Sequence, residues 1–350
     1  MSSTHLCIRR TGLVTSVGLT TPQSCAAFRA KITSPSETRF IGADGQWIMA
    51  HEVPLEQPWR GLTKLAKMAA LAIDEALQDV SMDERNRLPL LLCVAEPDRP
   101  GRTGGLDDKL FGLVQAELGL TFAPQSAMLA QGRVGVAVAL MQARSLLADA
   151  RVPGVLIAAT DSLLTWPTLS HYDQEDRLLT EQNSNGFMPG ESAGAVLVGT
   201  PTGTVGGLVC TGIGFGVESA PIGSGEPLRA EGLTQAIKAC LADAGCQMHD
   251  VDFRITDLSG EHYYFKEAAL ALSRTLRQRK EEFDIWHPAE CTGEIGAAAG
   301  ITVIALAQAA AEKGYAKGPR VMAHWANDGG QRCAALFEQG SAMRVTGGAA

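Results

Sequence analysis

"SAMLAQGRVGVAVALMQA", residues 126–143, reads as a loop, a tight glycine turn and then an apolar helix. A turn that feeds a helix N-terminus is a natural place for a nucleophile, because the helix end favours negative charge. Yet no Cys, Ser or Thr lies between Ala127 and Gln142. The helix is small and apolar all round (Val136, Ala137, Val138, Ala139, Leu140), so it belongs between layers rather than on a surface. The stretch therefore has the backbone of a reactive turn without a reacting group.

Working outward, short apolar runs alternate with helical runs, which indicates α/β layers. "LPLLLCVAE" (88–96) and "GVLIAAT" (154–160) read as strands covered on both faces. "LTKLAKMAALAIDEALQDV" (62–80) has helical apolar spacing and no internal Pro or Gly. The same order returns later in the chain. Helix "GLTQAIKACLADAG" (232–245) precedes "TGEIGAAAGITVIALAQAAAEKG" and the strand "RVMAHWA". Leu62 and Leu233 are 171 residues apart, Gly132 and Gly293 161, and Val155 and Val321 166. Such a long period implies a duplicated α/β unit rather than a solenoid. The turn-rich "GTPTGTVGG" (199–207) marks the break, giving halves 1–200 and 201–350.

With 45% hydrophobic and 19% charged residues in 350, the composition is that of a globular protein with a sizeable core. A net charge of −8 without a Lys/Arg run argues against nucleic acid. No uninterrupted apolar run reaches membrane-spanning length, about 18 residues, and the first residues lack a signal-peptide pattern. Eight cysteines without a CxxC pair fit reduced thiols and a cytoplasmic protein.

Several strings, in order, resemble the β-ketoacyl synthases of the thiolase-like fold. They are "RRTGLVTSVGLTTPQSCAAFRAKI" (9–32), "NGFMPGESAGAVLV" (185–198), "TGIGFGVES" (211–219), "CTGEIGAAAG" (291–300) and "NDGGQRCAALF" (327–337). The resemblance implies two duplicated α/β halves in five layers, α-β-α-β-α, paired as a homodimer across the first half. It also implies a decarboxylating condensation of acyl thioesters. That reaction uses a Cys at the first-half turn, two groups, commonly His, that donate to the thioester oxygen, and a supporting Lys.

The chemical positions depart from that pattern. Gly132 takes the Cys place in one register and Leu129 in a register shifted by three, with Gln131 between them. "TDLSGEHYYFKE" (256–267) puts Leu258 and Ser259 where the first His and its following Gly belong, with His262 four residues further on. Glu294 follows Thr292-Gly293 in place of the second His, and Ala289 takes the place of the Lys. Asn327 and Asp328 replace phenylalanines. The expectation is a vestigial pocket around Leu129, Gly132, Leu258, His262, Cys291 and Glu294, with no catalytic residue.

The same region offers residues for other chemistry. Cys291, before the second glycine-rich helix, is a candidate relocated nucleophile, and the family geometry implied by the resemblance would bring Glu294, His262 and His324 near it. Glu261, His262, Glu294 and His324 are ligand types without metal-ligand spacing, so no metal is expected. "TGIGFG" is no dinucleotide fingerprint and no P-loop string occurs, so no cofactor is expected. The loop "PDRPGRTGGLDDK" (97–109), with Arg99 and Arg102, reads as solvated or as a contact for an acidic partner or carrier protein. "HYDQEDRLLTEQNSN" (171–185) reads as a solvated connector.

The expected role is a non-catalytic dimeric adaptor or accessory protein. The alternatives are an acyl-thioester enzyme using Cys291 and an acyl or pantetheine pocket without turnover. "GRVG" and "NSNGFMPGE" further resemble degenerate ketosynthase-like proteins of type VI secretion effector gene clusters, which implies a secreted effector as partner.

Overall fold

The computed structural model describes residues 5–201 and 207–340. Twelve strands are present among them. The first half holds β1 (Leu6–Val14), β2 (Ser36–Ile41), β3 (Trp47–Ala50), β4 (Leu90–Val94), β5 (Ala127–Ala130), β6 (Val155–Ser162) and β7 (Glu191–Gly199). The second holds β8 (Leu208–Val217), β9 (Phe253–Thr256), β10 (Ile285–Trp286), β11 (Arg320–Ala326) and β12 (Gln331–Gln339). The first-half helices are α1 (Thr21–Ala30), α2 (Gly61–Ala76), α3 (Met82–Arg85), α4 (Leu106–Leu118), α5 (Gly135–Leu146) and α6 (Trp166–Gln174). The second half adds α7 (Glu231–Ala244), α8 (His262–Thr275), α9 (Ala289–Thr292) and α10 (Ala299–Glu312).

Ten strands run in the order β10-β9-β11-β12-β8-β1-β7-β6-β4-β5, and β2-β3 form a separate hairpin. The order is two copies of one pattern joined edge to edge. From β1 outward the pairings are antiparallel with β7, antiparallel to β6, then parallel to β4 and β5. From β8 outward they are antiparallel with β12, antiparallel to β11, then parallel to β9 and β10. The halves meet where Leu6–Ile8 pairs with Leu208–Cys210.

Helices α5 and α10 lie between the two five-stranded halves and touch strands of both. Helices α2 and α4 cover the outer face of the first half, and α7 and α8 that of the second. The layers are thus α-β-α-β-α. Every α10 residue from Ala299 to Gln308 is buried, which is why that helix has no polar stripe. Glycine sets the approach of the central pair, since a Cβ on Gly300 would lie 2.5 Å from Val136 Cβ.

Three sequence expectations change. Residues 127–130 form strand β5, in parallel register with Leu91–Val94, rather than a loop; four residues are too few for an alternation to show. The helix expected over 62–80 ends at Ala76, where Arg85 donates to the carbonyls of Leu77 and Val80 and stops its continuation. The repeat pairs Gly132 with Gly296, not with Gly293. Each opens a single 3-10 turn before a central helix, with φ of 54° and 55°. Most of the expected break at 199–207 lies outside the described residues.

Candidate functional site

Both turns point into the space between the halves, and their tips are glycines because the backbone is left-handed there. Gly132 is the tip of the β5–α5 turn, while Leu129 is a strand residue packed in the core. A Cβ on Gly132 would collide with the Glu96 carboxylate and come within 3.1 Å of Asn327 Oδ1. A Cβ on Gly296 would collide with the Asp161 carboxylate. One side chain ties the two carboxylates together. Arg99 donates to both Glu96 oxygens at 2.8 Å and lies 3.3 Å from Asp161 Oδ2. Asp161 also accepts from the Ala297 amide at 2.8 Å.

A second layer of ion pairs closes over the first. Arg133, at the start of the first turn, donates to Glu294 (3.1 Å), to the Tyr264 hydroxyl (3.0 Å) and to Asp328. Glu294 accepts in addition from Ser259 at 3.0 Å and from the Gly296 amide at 2.9 Å. Arg177 forks onto Glu261 (2.7 and 2.9 Å) and reaches Asp328 at 2.7 Å. Asn327 Nδ2 donates to the Gln131 carbonyl at 2.9 Å, tying the turn to the second half. Bidentate pairs of this kind are the strong form of charge-assisted hydrogen bond.

The side chains fill the space. The cavity that remains between Arg99, Arg133, Tyr172, Arg177, Glu294 and Asp328 is about 10 Å³, room for one water at most. Three guanidiniums (Arg99, Arg133, Arg177) face five carboxylates (Glu96, Asp161, Glu261, Glu294, Asp328). The acids divide accordingly. Burial acts against ionisation of Asp328, but Arg133 and Arg177 outweigh it and hold the carboxyl well below its usual range. Glu96 is likewise held down by Arg99 against the effect of burial. Burial wins at Asp161 and Glu261 and pushes both up.

Asp257 lies beside this network, and burial pushes it up to about 7 although Arg133 opposes the rise. Its carboxylate accepts from the Ala326 amide at 3.0 Å, a bond an Asn oxygen can keep. Below about pH 4 the acid is neutral in both folded and unfolded chains. Between pH 4 and 7 only the unfolded chain gives up the proton, so stability falls as pH rises; above 7 the cost is constant. Asp257→Asn removes that slope. The variant is expected to gain roughly 2–4 kcal/mol on the parent between pH 4 and pH 8, at about 1.4 kcal/mol per unit. Urea unfolding across that range measures it, and a variant-minus-parent difference that stays flat with pH refutes it.

The sequence-expected residues are only partly together. Gly132 abuts Glu96, and Glu294 lines the cavity. Leu129 does not reach it. Leu258 packs in an apolar cluster with Tyr264, Ala268 and Ala326. His262 is exposed at the first position of α8, its amide bonded to Asn185, while its neighbour Glu261 turns inward. Cys291 lies in a different cavity, lined by Phe28, Trp286 and Tyr315. Burial pushes its thiol up to about 11, with Glu290 adding to the rise. His324 is buried on β11 and, by burial first, held neutral at about 3. Among the described residues no group of three His, Cys, Asp or Glu side chains is placed to hold a metal ion.

Sequence reading missed Glu96, Arg99, Arg133, Asp161, Tyr172, Arg177 and Tyr264. Arg99 belongs to a loop expected to be solvated but is buried; Tyr172 and Arg177 belong to the expected connector but close the site. The available signal was Arg133 itself, a charge set inside an otherwise apolar buried stretch. Among the described residues no helix is long and apolar enough to cross a membrane.

No protein-family model matches the chain, and no curated protein matches it. Solved structures do. The complex AntDE:AntF, a type II PKS acyl-carrier protein with its ketosynthase bound to the hexaketide, superposes with a TM-score of 0.78 at 14% identity, covering 97% of this chain and 100% of the other. The ishigamide ketosynthase/chain length factor gives 0.76 at 16% identity, covering 97% and 100%. The ketosynthase ApeO in complex with its chain length factor ApeC from Xenorhabdus doucetiae gives 0.72 at 13% identity, covering 96% and 98%. Two duplicated halves, five layers and these superpositions over nearly the whole chain give this protein the thiolase-like fold of the ketosynthases.

Proposed function

We propose that this protein is a ketosynthase-fold protein without condensing activity that works as a dimeric adaptor or accessory protein. One observation carries the reading: the turn that would present the nucleophile ends in Gly132, whose Cβ position is filled by the Glu96 carboxylate inside a network that leaves about 10 Å³. A thioester cannot enter that space, and no Cys, Ser or Thr side chain lines it. Loss of the nucleophile alone costs orders of magnitude in rate.

The dimer is proposed through the first half. Strand β5 is an outer edge of the ten-stranded sheet, with Ala127, Met128 and Ala130 half-buried. Edge strands offer unpaired amides and carbonyls to another chain. Two similar structures are a ketosynthase with a chain length factor, which supports pairing as a use of this fold. "GRVG" and "NSNGFMPGE" meet at the closed cavity, where Arg133 and Phe187 both line it. Their likeness to the secretion-cluster group supports a secreted effector as client, and a cytoplasmic place for the complex.

The test is intact mass after incubation with acyl-CoA and acyl-carrier thioesters, for the parent and Cys291→Ala, with light scattering on the same sample. The expected result is no adduct and a particle of twice the chain's 36.9 kDa. An adduct lost in Cys291→Ala makes the protein an acyltransferase with a moved nucleophile. A monomer removes the dimer.

A further inference from the structure

Away from the closed site, a cavity of about 220 Å³ opens between the end of α1, strand β10, α9 and the segment after α10. Its walls are apolar and largely aromatic. Trp286 and Tyr315 lie with ring planes 24° apart and centroids 6.2 Å apart, and Phe28 and Leu306 close the inner side. Its rim is charged. Arg29 lies 4.7 Å over the Tyr315 ring and has no carboxylate partner among the described residues. Lys31 and His287 share a single acid, Glu290, at 3.4 and 2.8 Å. The Tyr315 hydroxyl is shut off from solvent and has no hydrogen-bond partner, although buried Tyr hydroxyls ordinarily find one.

We propose that this cavity binds a small aromatic monocarboxylate. The argument rests on size, wall and charge. A dry cavity of about 150 Å³ holds a benzene ring, so this one holds a ring with a carboxylate. Aromatic faces pair with an aromatic ring by offset or edge contact. Arg29 and Lys31 against Glu290 leave one positive charge in excess, which matches one negative charge on the ligand and disfavours neutral or doubly charged ones. Pockets of this kind, apolar with a few convergent polar groups, are where proteins bind small molecules. The inference does not depend on the first-half turn being inert.

The experiment titrates the purified full chain with benzoate, following Trp fluorescence and ligand-observed NMR. Benzyl alcohol and cyclohexanecarboxylate are the comparison compounds, and Arg29→Met and Trp286→Leu the variants. Arg29 is exposed at the end of α1, so its replacement leaves the core intact. Saturable benzoate binding is expected, at least tenfold weaker in Arg29→Met and in Trp286→Leu. Benzyl alcohol and cyclohexanecarboxylate are each expected to bind at least fivefold more weakly than benzoate. Absence of saturation at millimolar benzoate overturns the proposal. So does equal affinity for benzyl alcohol, or a folded Arg29→Met, checked by circular dichroism, that binds as well as the parent.

Discussion

Arg133→Met is expected to lower the unfolding free energy by about 3–5 kcal/mol at pH 7, the range found when one partner of a buried ion pair is removed. Methionine keeps much of the apolar stem, so the loss is electrostatic rather than a cavity. The guanidinium binds Glu294, Asp328 and the Tyr264 hydroxyl and lies 4.9 Å over the Tyr264 ring. Without it Glu294 keeps no cation, and Asp328 keeps only Arg177. The pH dependence follows from the same groups. Asp328 is held well below its usual range in the parent, so its stabilisation is present above about pH 4 and fades as pH falls through its folded value. Removing Arg133 raises that folded value. The gap between variant and parent is therefore widest near neutral pH and narrows in acid, as pH falls through the variant's raised folded value toward the parent's. If Arg133→Met does not fold, the double variant with Glu294→Gln removes a stranded charge and is expected to recover folding. A loss below 1 kcal/mol with no pH dependence would refute the role of Arg133 as the hub of the site.

Gly132→Cys places a thiol where the family resemblance asks for one, and it is expected to fail as an enzyme. A left-handed φ of 54° costs a residue with a Cβ about 1–2 kcal/mol. The Cβ also meets the Glu96 carboxylate, which is fixed by both of its bonds to Arg99. The two effects together are expected to destabilise the chain by roughly 2–4 kcal/mol. Truncating the obstacle tests the mechanism. Adding Glu96→Ala to Gly132→Cys should cost less than the two single changes summed, a coupling of about 1 kcal/mol or more. Urea unfolding of the four proteins measures it, and intact mass reports acylation. Strict additivity would show that the carboxylate does not occupy the place of the side chain. An acyl adduct on Gly132→Cys alone would show that the site still admits a thioester.

Much of this architecture could be read from local sequence. The small-residue runs of α5 and α10 declare burial on all sides, and β6 opens on a continuous apolar run, Val155 to Ala159. The glycines at 132 and 296 mark turns of one hand. These signals are local because backbone geometry is local: a left-handed residue favours glycine wherever the rest of the chain lies. Where the signal was short, the reading slipped. Four residues of β5 could not show a strand period, and the Gly-x-x-Gly of the second turn runs from Gly293 to Gly296, so Gly293 stood in for Gly296.

That no nucleophile stands in the first-half turn is likewise a fact of the sequence, since no residue between Ala127 and Gln142 can carry an acyl group. What occupies the space instead was decided only by tertiary structure. Arg133 meets Glu294 across 161 positions and Asp328 across 195. Arg99 joins the carboxylates beside both turns from a loop that, read alone, belongs to solvent. A charged side chain is usually exposed, and no local period announces the exception. Only when the two halves close does each of these groups lose its water, and then the partner that replaces the water is whichever opposite charge the fold has brought within reach.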